Sequence, residues 1–117
     1  MNVTIYHNPN CGTSRTVLGM LRDRGLEPTV VEYLKTPPGR AVLKDLLKKM
    51  NMTPRELLRR RGTPFDELGL DNPALSDDAL LDALEAHPIL MERPIVVAPG
   101  GARVCRPADR LLEILPA

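Results

Sequence analysis

The chain has no tryptophan, and its aromatic residues stop at Tyr6, Tyr33 and Phe65. Rows of aromatic platforms for stacking nucleic-acid bases are therefore absent. An excess of one charge is missing too: 16 basic residues stand against 15 acidic ones, for a net charge of +1. A general polyanion binder carries a basic surplus, so nucleic acid is not an expected partner. Cysteine is scarce, with Cys11 and Cys105 far apart in the chain. A small secreted scaffold carries more, so reduced thiols and a cytoplasmic setting are expected. Apolar runs are too short to span a bilayer. The opening "MNVTIYHNPN" lacks the basic and apolar regions of a signal peptide, and no membrane association is expected.

What is present is enough for a core. With 117 residues and a hydrophobic fraction of 43%, a single domain over 1–117 buries about two-thirds of its unfolded surface. "NVTIY" (2–6) reads as a buried strand. Residues 13–24 read as a helix, with Val17, Leu18 and Leu21 at helical spacing and Gly25 to close it. "TVVEY" (29–33) is a second strand, and strand–helix–strand of this length makes the two strands parallel. Residues 36–87 carry helical patterns. Thr36 with Pro37 starts one helix, Thr53, Pro54 and Glu56 form a capping box for a second over 53–62, and Ser76 caps a third over 76–87. "PIVVA" and "ARVC", joined by "PGG", predict a hairpin over 94–105. "PADRLLEIL" (107–115) predicts a closing helix. The sum is α/β: a thioredoxin-like four-stranded mixed sheet flanked by helices, with a helical insertion between the second and third strands.

The stretch "HNPNCGTSR" places Cys11 in the turn between the first strand and the first helix. The first-turn amides of that helix lack intrahelical partners and point toward the sulfur, so they and the dipole favour thiolate. Arg15 adds a positive charge one turn along. His7, at the end of the strand, adds a further charge or a hydrogen bond. Asn8, Pro9, Asn10, Gly12 and Thr13 are turn formers, which argues against Cys11 as an inert core residue. Cys105 ends an apolar strand and reads as packed. A thioredoxin-type redox pair needs a second cysteine at position 14, where Ser14 stands. Low-molecular-weight phosphatases use C-x5-R, but Arg15 follows Cys11 after three residues. Zinc needs further ligands at short spacing, and His7 and His87 are isolated, so no metal is expected. His87 reads as part of a helix end.

A thiolate that attacks an oxyanion needs partners that hold it, and planar guanidinium groups suit that task. Arg93 and Arg106 flank the hairpin, so both fall near one end of the sheet. On spacing alone, Arg59, Arg60 and Arg61 read as a solvated helix end.

With these residues set out, the chain resembles the glutathione- and glutaredoxin-dependent arsenate reductases of Gram-negative bacteria. The resemblance is carried by "VTIYHNPNCGTSR", "YLKTPPGR", "LLRRRGTPFDELGL", "HPILMERPIVVAPGGARVCRP" and "LLEILP", and runs over essentially the whole chain. It implies that Cys11 is the nucleophile toward arsenate and that Arg59, Arg93 and Arg106 bind the oxyanion. It implies that His7 and Arg15 keep the thiol ionised, that Ser14 is the helix-start hydroxyl beside it, and that Pro94 follows a cis peptide bond. It further implies a Cys11 thiolate–arsenate adduct, glutathione as co-substrate, glutaredoxin as the partner that resolves the mixed disulfide, and no bound cofactor. Arg60 and Arg61 stay surface charges, and a monomer is expected. Two other readings compete: a redox-sensing regulator that binds RNA polymerase, and a general monothiol oxidoreductase acting on glutathione mixed disulfides. Ser14 argues against the first. The arginine set goes unexplained by the second.

Overall fold

The structure is a computed structural model and describes residues 1–116. Its contacts divide it into two compact units, Met1–Thr36 with Arg93–Ala117, and Pro37–Glu92.

The first unit holds the sheet. Strand β1 (Thr4–His7) leads to helix α1 (Gly12–Asp23) and strand β2 (Thr29–Glu32). Strands β3 (Ile95–Ala98) and β4 (Gly101–Val104) form the hairpin, and a 3-10 helix follows over Ala108–Glu113. Strand order is β2-β1-β3-β4. β1 pairs β2 in parallel and β3 antiparallel, and β3 pairs β4 antiparallel. This is the four-stranded mixed sheet of a thioredoxin-like fold. α1 packs on β1 and on the 3-10 helix. Val17 and Leu21 are fully buried in a cluster with Ile5, Val96, Cys105 and Leu111. Burial of one such aliphatic side chain contributes about 1.5–3 kcal/mol. Ser14 lies on the same buried stripe of α1 as Val17 and Leu21.

The hairpin turn brings Gly100 close to the chain's end. A Cβ added there would stand 2.6 Å from the Ile114 carbonyl oxygen, a backbone atom that cannot swing away. Gly100→Ala is therefore expected to lower unfolding free energy by about 2 kcal/mol in urea denaturation. Gly19, inside α1 with nothing within 4 Å of its added Cβ, should tolerate alanine and gain about 0.5 kcal/mol. Equal effects at the two positions would overturn the close-approach argument.

The second unit holds α2 (Arg40–Met50), α3 (Pro54–Leu57), α4 (Asp77–Ala86) and a 3-10 turn over Pro88–Leu90. α4 packs against α2, α3 and that turn. Leu43, Leu46, Leu47 and Met50 form the buried face of α2. Arg40 ties α2 to α4 through Asp78, Asp82 and Glu85.

Here the structure corrects three sequence expectations. α2 starts at Arg40 with Gly39 as its N-cap, not at Thr36. Pro38 pushes Pro37 out of the helical region, so a start there is sterically disfavoured. α3 keeps its Thr53–Glu56 capping box but ends at Leu57 instead of running to Gly62. Leu58 turns extended and bridges Met91, with Arg59 N–H on Leu90 O at 2.7 Å and Glu92 N–H on Leu57 O at 2.9 Å. Pairing with a distant segment has overridden local helix propensity. Residues 58–76 therefore lie outside helices, although the pattern of 36–87 reads as helical throughout. The closing helix over 107–115 is 3-10 and runs over Ala108–Glu113. Ser76 caps α4 by accepting from Ala79 N–H at 3.1 Å, as its spacing predicts, and His87 takes the C-cap position.

Candidate active site

The turn between β1 and α1 is built around Asn8. Its N–H donates to Ser14 Oγ at 3.1 Å, its carbonyl accepts from Cys11 N–H at 3.0 Å, and its Oδ1 accepts from Asn10 N–H at 3.0 Å. Asn8 is 4% exposed, so these bonds also satisfy groups removed from water. They bend the chain so that Cys11 becomes the N-cap of α1 with extended backbone, φ −97° and ψ 122°. Sequence reasoning counted Asn8 among the turn formers and missed its role. The signal was the Asn-Pro pair, a side-chain-to-backbone turn former placed just before a helix start.

Ser14 is fully buried. Its Oγ lies 2.6 Å from His7 Nδ1, which fastens the end of β1 to the first turn of α1. His7 is less readily protonated than a free imidazole. Burial lowers its pKa below the ordinary imidazole value, Glu32 pulls the other way, and Arg22 and Arg15 depress it further. Of the two roles expected from sequence, the structure takes the hydrogen bond. Arg15 Nη1 donates to the Pro9 carbonyl at 2.9 Å. That bond braces the turn.

The cations at the sulfur come from the hairpin. Arg106 Nη1 lies 3.7 Å from Cys11 Sγ and 3.3 Å from the Arg93 carbonyl oxygen. Arg93 precedes β3 across a cis bond to Pro94, and Arg106 precedes Pro107, also cis. The resemblance implied the first cis bond, and nothing in the sequence reading pointed to the second. Cys105 N–H donates to Pro94 O at 2.9 Å, which aligns the two arginine-bearing segments.

These groups decide the ionisation of Cys11. Burial by itself would push its thiol pKa up. The Ser14 backbone N–H, the hydrogen-bonding guanidinium groups of Arg93 and Arg106, and the charge of Arg93 outweigh it, and the pKa falls below the ordinary value. A thiol with nothing to activate it is only about a few per cent ionised at pH 7. Cys105 is the opposite case: burial pushes its thiol up to about 12, and it sits fully enclosed in the core. Both cysteines are free. Iodoacetamide is therefore expected to modify Cys11 alone in the native protein, with a rate midpoint below that of a free thiol. A midpoint at or above that of a free thiol would refute the argument.

Arg59 belongs to the Pro37–Glu92 unit. It is not at a helix end, since α3 has already stopped at Leu57. Its Nη1 pairs with Glu92 Oε1 at 2.9 Å and its side chain is 14% exposed. Arg60 and Arg61 are exposed, and Arg60 stacks over Phe65 and pairs with Asp66. Among the described residues no group of three or more His, Cys, Asp or Glu is placed to hold a metal ion. No helix among them is long and apolar enough to cross a membrane.

A polarised thiolate flanked by guanidinium groups at a helix start can attack an electrophile that carries negative oxygens, and then hold the charge on those oxygens. Known proteins resemble this chain. The ArsC family profile matches residues 6–114. The arsenate reductase of Rhizobium meliloti (strain 1021) is 59% identical over 116 residues, 99% of this chain and 83% of that protein. The arsenate reductase of Escherichia coli (strain K12) is 53% identical over 98% of this chain and 82% of its own length. The solved structure of an arsenate reductase from Vibrio cholerae superposes with a TM-score of 0.94 at 45% identity and covers 98% of both chains.

Proposed function

This chain belongs to the ArsC family, and from that premise we propose that it reduces arsenate to arsenite with glutathione and glutaredoxin. The observation that carries the reading is the Cys11 sulfur at the start of α1 with Arg106 Nη1 3.7 Å away. Cys11 thiolate attacks the arsenic of arsenate, an S–As bond forms, and one oxygen leaves as water after protonation. Arg93 and Arg106 stabilise the oxygens on which charge builds, and Arg59 supplies a third guanidinium. Glutathione thiolate then attacks the Cys11 sulfur. The S–As electron pair stays with arsenic, As(V) becomes As(III), and a Cys11–glutathione disulfide remains. Glutaredoxin reduces that disulfide and returns the Cys11 thiol. Two electrons from two thiols account for the reduction, so the cycle uses no resident metal or organic cofactor. The same reading puts the reaction in the cytoplasm and takes the working form as a monomer.

Ser14 supports an external second thiol. The position that would carry a resolving cysteine holds a hydroxyl bonded to His7, so Cys11 has no redox partner inside its own motif. The test is a coupled assay with arsenate, glutathione, glutaredoxin, glutathione reductase and NADPH. Arsenate-dependent NADPH loss that needs both glutathione and glutaredoxin supports the proposal. Absence of turnover with an active coupling system rejects it.

A further inference from the structure

Asn8 opens the turn that presents the thiol, and the mechanism so far does not explain why an asparagine stands there. The turn runs Asn8-Pro9-Asn10-Cys11 and is closed by Cys11 N–H on the Asn8 carbonyl at 3.0 Å. Pro9 takes the second position, which its fixed φ suits. The Asn8 side chain adds a second clasp, with Oδ1 accepting from Asn10 N–H at 3.0 Å. A third runs to the helix, from Asn8 N–H to Ser14 Oγ at 3.1 Å. Residue 8 thus holds the Cys11 backbone on one side and Ser14 on the other. The Ser14 N–H is in turn a hydrogen-bond donor to the Cys11 sulfur. The separation between that donor and the sulfur is therefore set through Asn8.

Turn chemistry alone would accept aspartate at this position. Its carboxylate takes the N–H two residues on as readily as the asparagine amide does. A helix start also favours acidic residues close by. α3 carries Glu56 in its first turn, and α4 carries Asp77 and Asp78. α1 has no acidic residue in its first turn, and the chain has no Asp or Glu before Asp23. The exception fits a helix start whose anion is the sulfur itself. The cations that act on the sulfur are Arg93 and Arg106, from the two flanks of the hairpin. Arg15 of α1 reaches the turn at the Pro9 carbonyl, and His7 of β1 reaches it at Ser14. Glu32 of β2 stands across the strand pairing from His7. A carboxylate at position 8, buried like the asparagine it replaces, would be poorly screened and would oppose the charge on the sulfur.

We infer that Asn8 is a positioning residue for the Cys11 thiolate: it supplies the acceptor that fixes the turn and, being neutral, sets no charge against the sulfur. This rests on the reading that Cys11 is the reacting thiol.

Alkylation of the native protein by iodoacetamide across pH tests the inference for Asn8→Asp and Asn8→Ala, with arsenate turnover in the coupled assay and urea denaturation beside it. Asn8→Asp keeps an acceptor for Asn10 N–H and brings a charge. Its alkylation midpoint should rise by about one pH unit, so that alkylation at the wild-type midpoint slows about fivefold. Asn8→Ala loses the acceptor and brings no charge. Its midpoint should rise by less, because only the fixed separation between the Ser14 N–H and the sulfur is lost. Above the midpoints of all three proteins, kcat/KM for arsenate should fall about tenfold in Asn8→Ala, and Asn8→Asp should lose less. A role confined to stability would lower the urea midpoint of both variants and leave the alkylation midpoint and kcat/KM at wild-type values, and that result overturns the inference. An Asn8→Asp variant with the wild-type alkylation midpoint overturns it too, since neutrality would then be without effect. So does an Asn8→Ala variant with wild-type kcat/KM, which would free the thiol from the side-chain clasp. If the wild type itself reduces no arsenate, the proposed function fails, while the alkylation midpoints of the two variants still decide the role of Asn8.

Discussion

Cys11→Ser is expected to lower arsenate-dependent turnover by roughly four orders of magnitude or more. The hydroxyl that replaces the thiol stays protonated at neutral pH. The first-turn amide and the guanidinium groups of Arg93 and Arg106 then have no anion to stabilise. Fold loss is not the reason, because serine is a better N-cap than cysteine and should hold the start of α1 at least as well. An unchanged or raised urea midpoint beside lost turnover is the expected pair of results. Turnover that survived the substitution would remove Cys11 from the chemistry. A pH dependence accompanies it. Between the depressed native pKa of Cys11 and the ordinary thiol value of 9.0, the unfolded chain holds a proton that the native state has released. Wild-type stability, measured against Cys11→Ser, should therefore rise with pH across that window and be lost as pH falls through the native pKa.

Arg106→Ala should cost about a thousandfold in kcat/KM, and Arg106→Lys should recover less than a tenth of the loss. Arg106 Nη1 faces both the Cys11 sulfur at 3.7 Å and the Arg93 carbonyl at 3.3 Å. The planar fork keeps one edge on this pair and still offers donors to an oxyanion. An ammonium is a single point on a flexible stem and cannot serve all three. Both variants should also raise the alkylation midpoint of Cys11, because a side-chain hydrogen bond from Arg106 helps depress it. A lysine variant with wild-type kcat/KM would show that charge alone suffices and that the fork is unnecessary.

The part of the site built from local chain was legible in the sequence. Turn formers ahead of an apolar helical stripe located Cys11 at the start of α1, and arginines on either side of a Gly-rich hairpin located Arg93 and Arg106 at one end of the sheet. What was hidden depends on partners far along the chain. Residues 58–62 carry a helical pattern, yet pairing with Met91 draws Leu58 into extended backbone and ends the helix before them. For that reason spacing alone misread Arg59 as a solvated helix end. Burial hid the lowered pKa of His7, since the strand pattern shows that its position alternates but not that desolvation wins over Glu32. Ser14 was visible as a missing cysteine. Its tie to His7 was not, because it depends on how closely α1 lies against β1.

Cys105 gives the molecule a built-in clock. Its sulfur is sealed in the core with a pKa of about 12, so reagents reach it when that core opens. In a Cys11→Ser background it is the sole thiol. Its labelling rate in plain buffer, compared with the rate in the unfolded chain, then reads out the population of open molecules wherever closing outruns labelling. The residue that chemistry leaves idle thus meters the stability of the sheet that carries the site with no denaturant present.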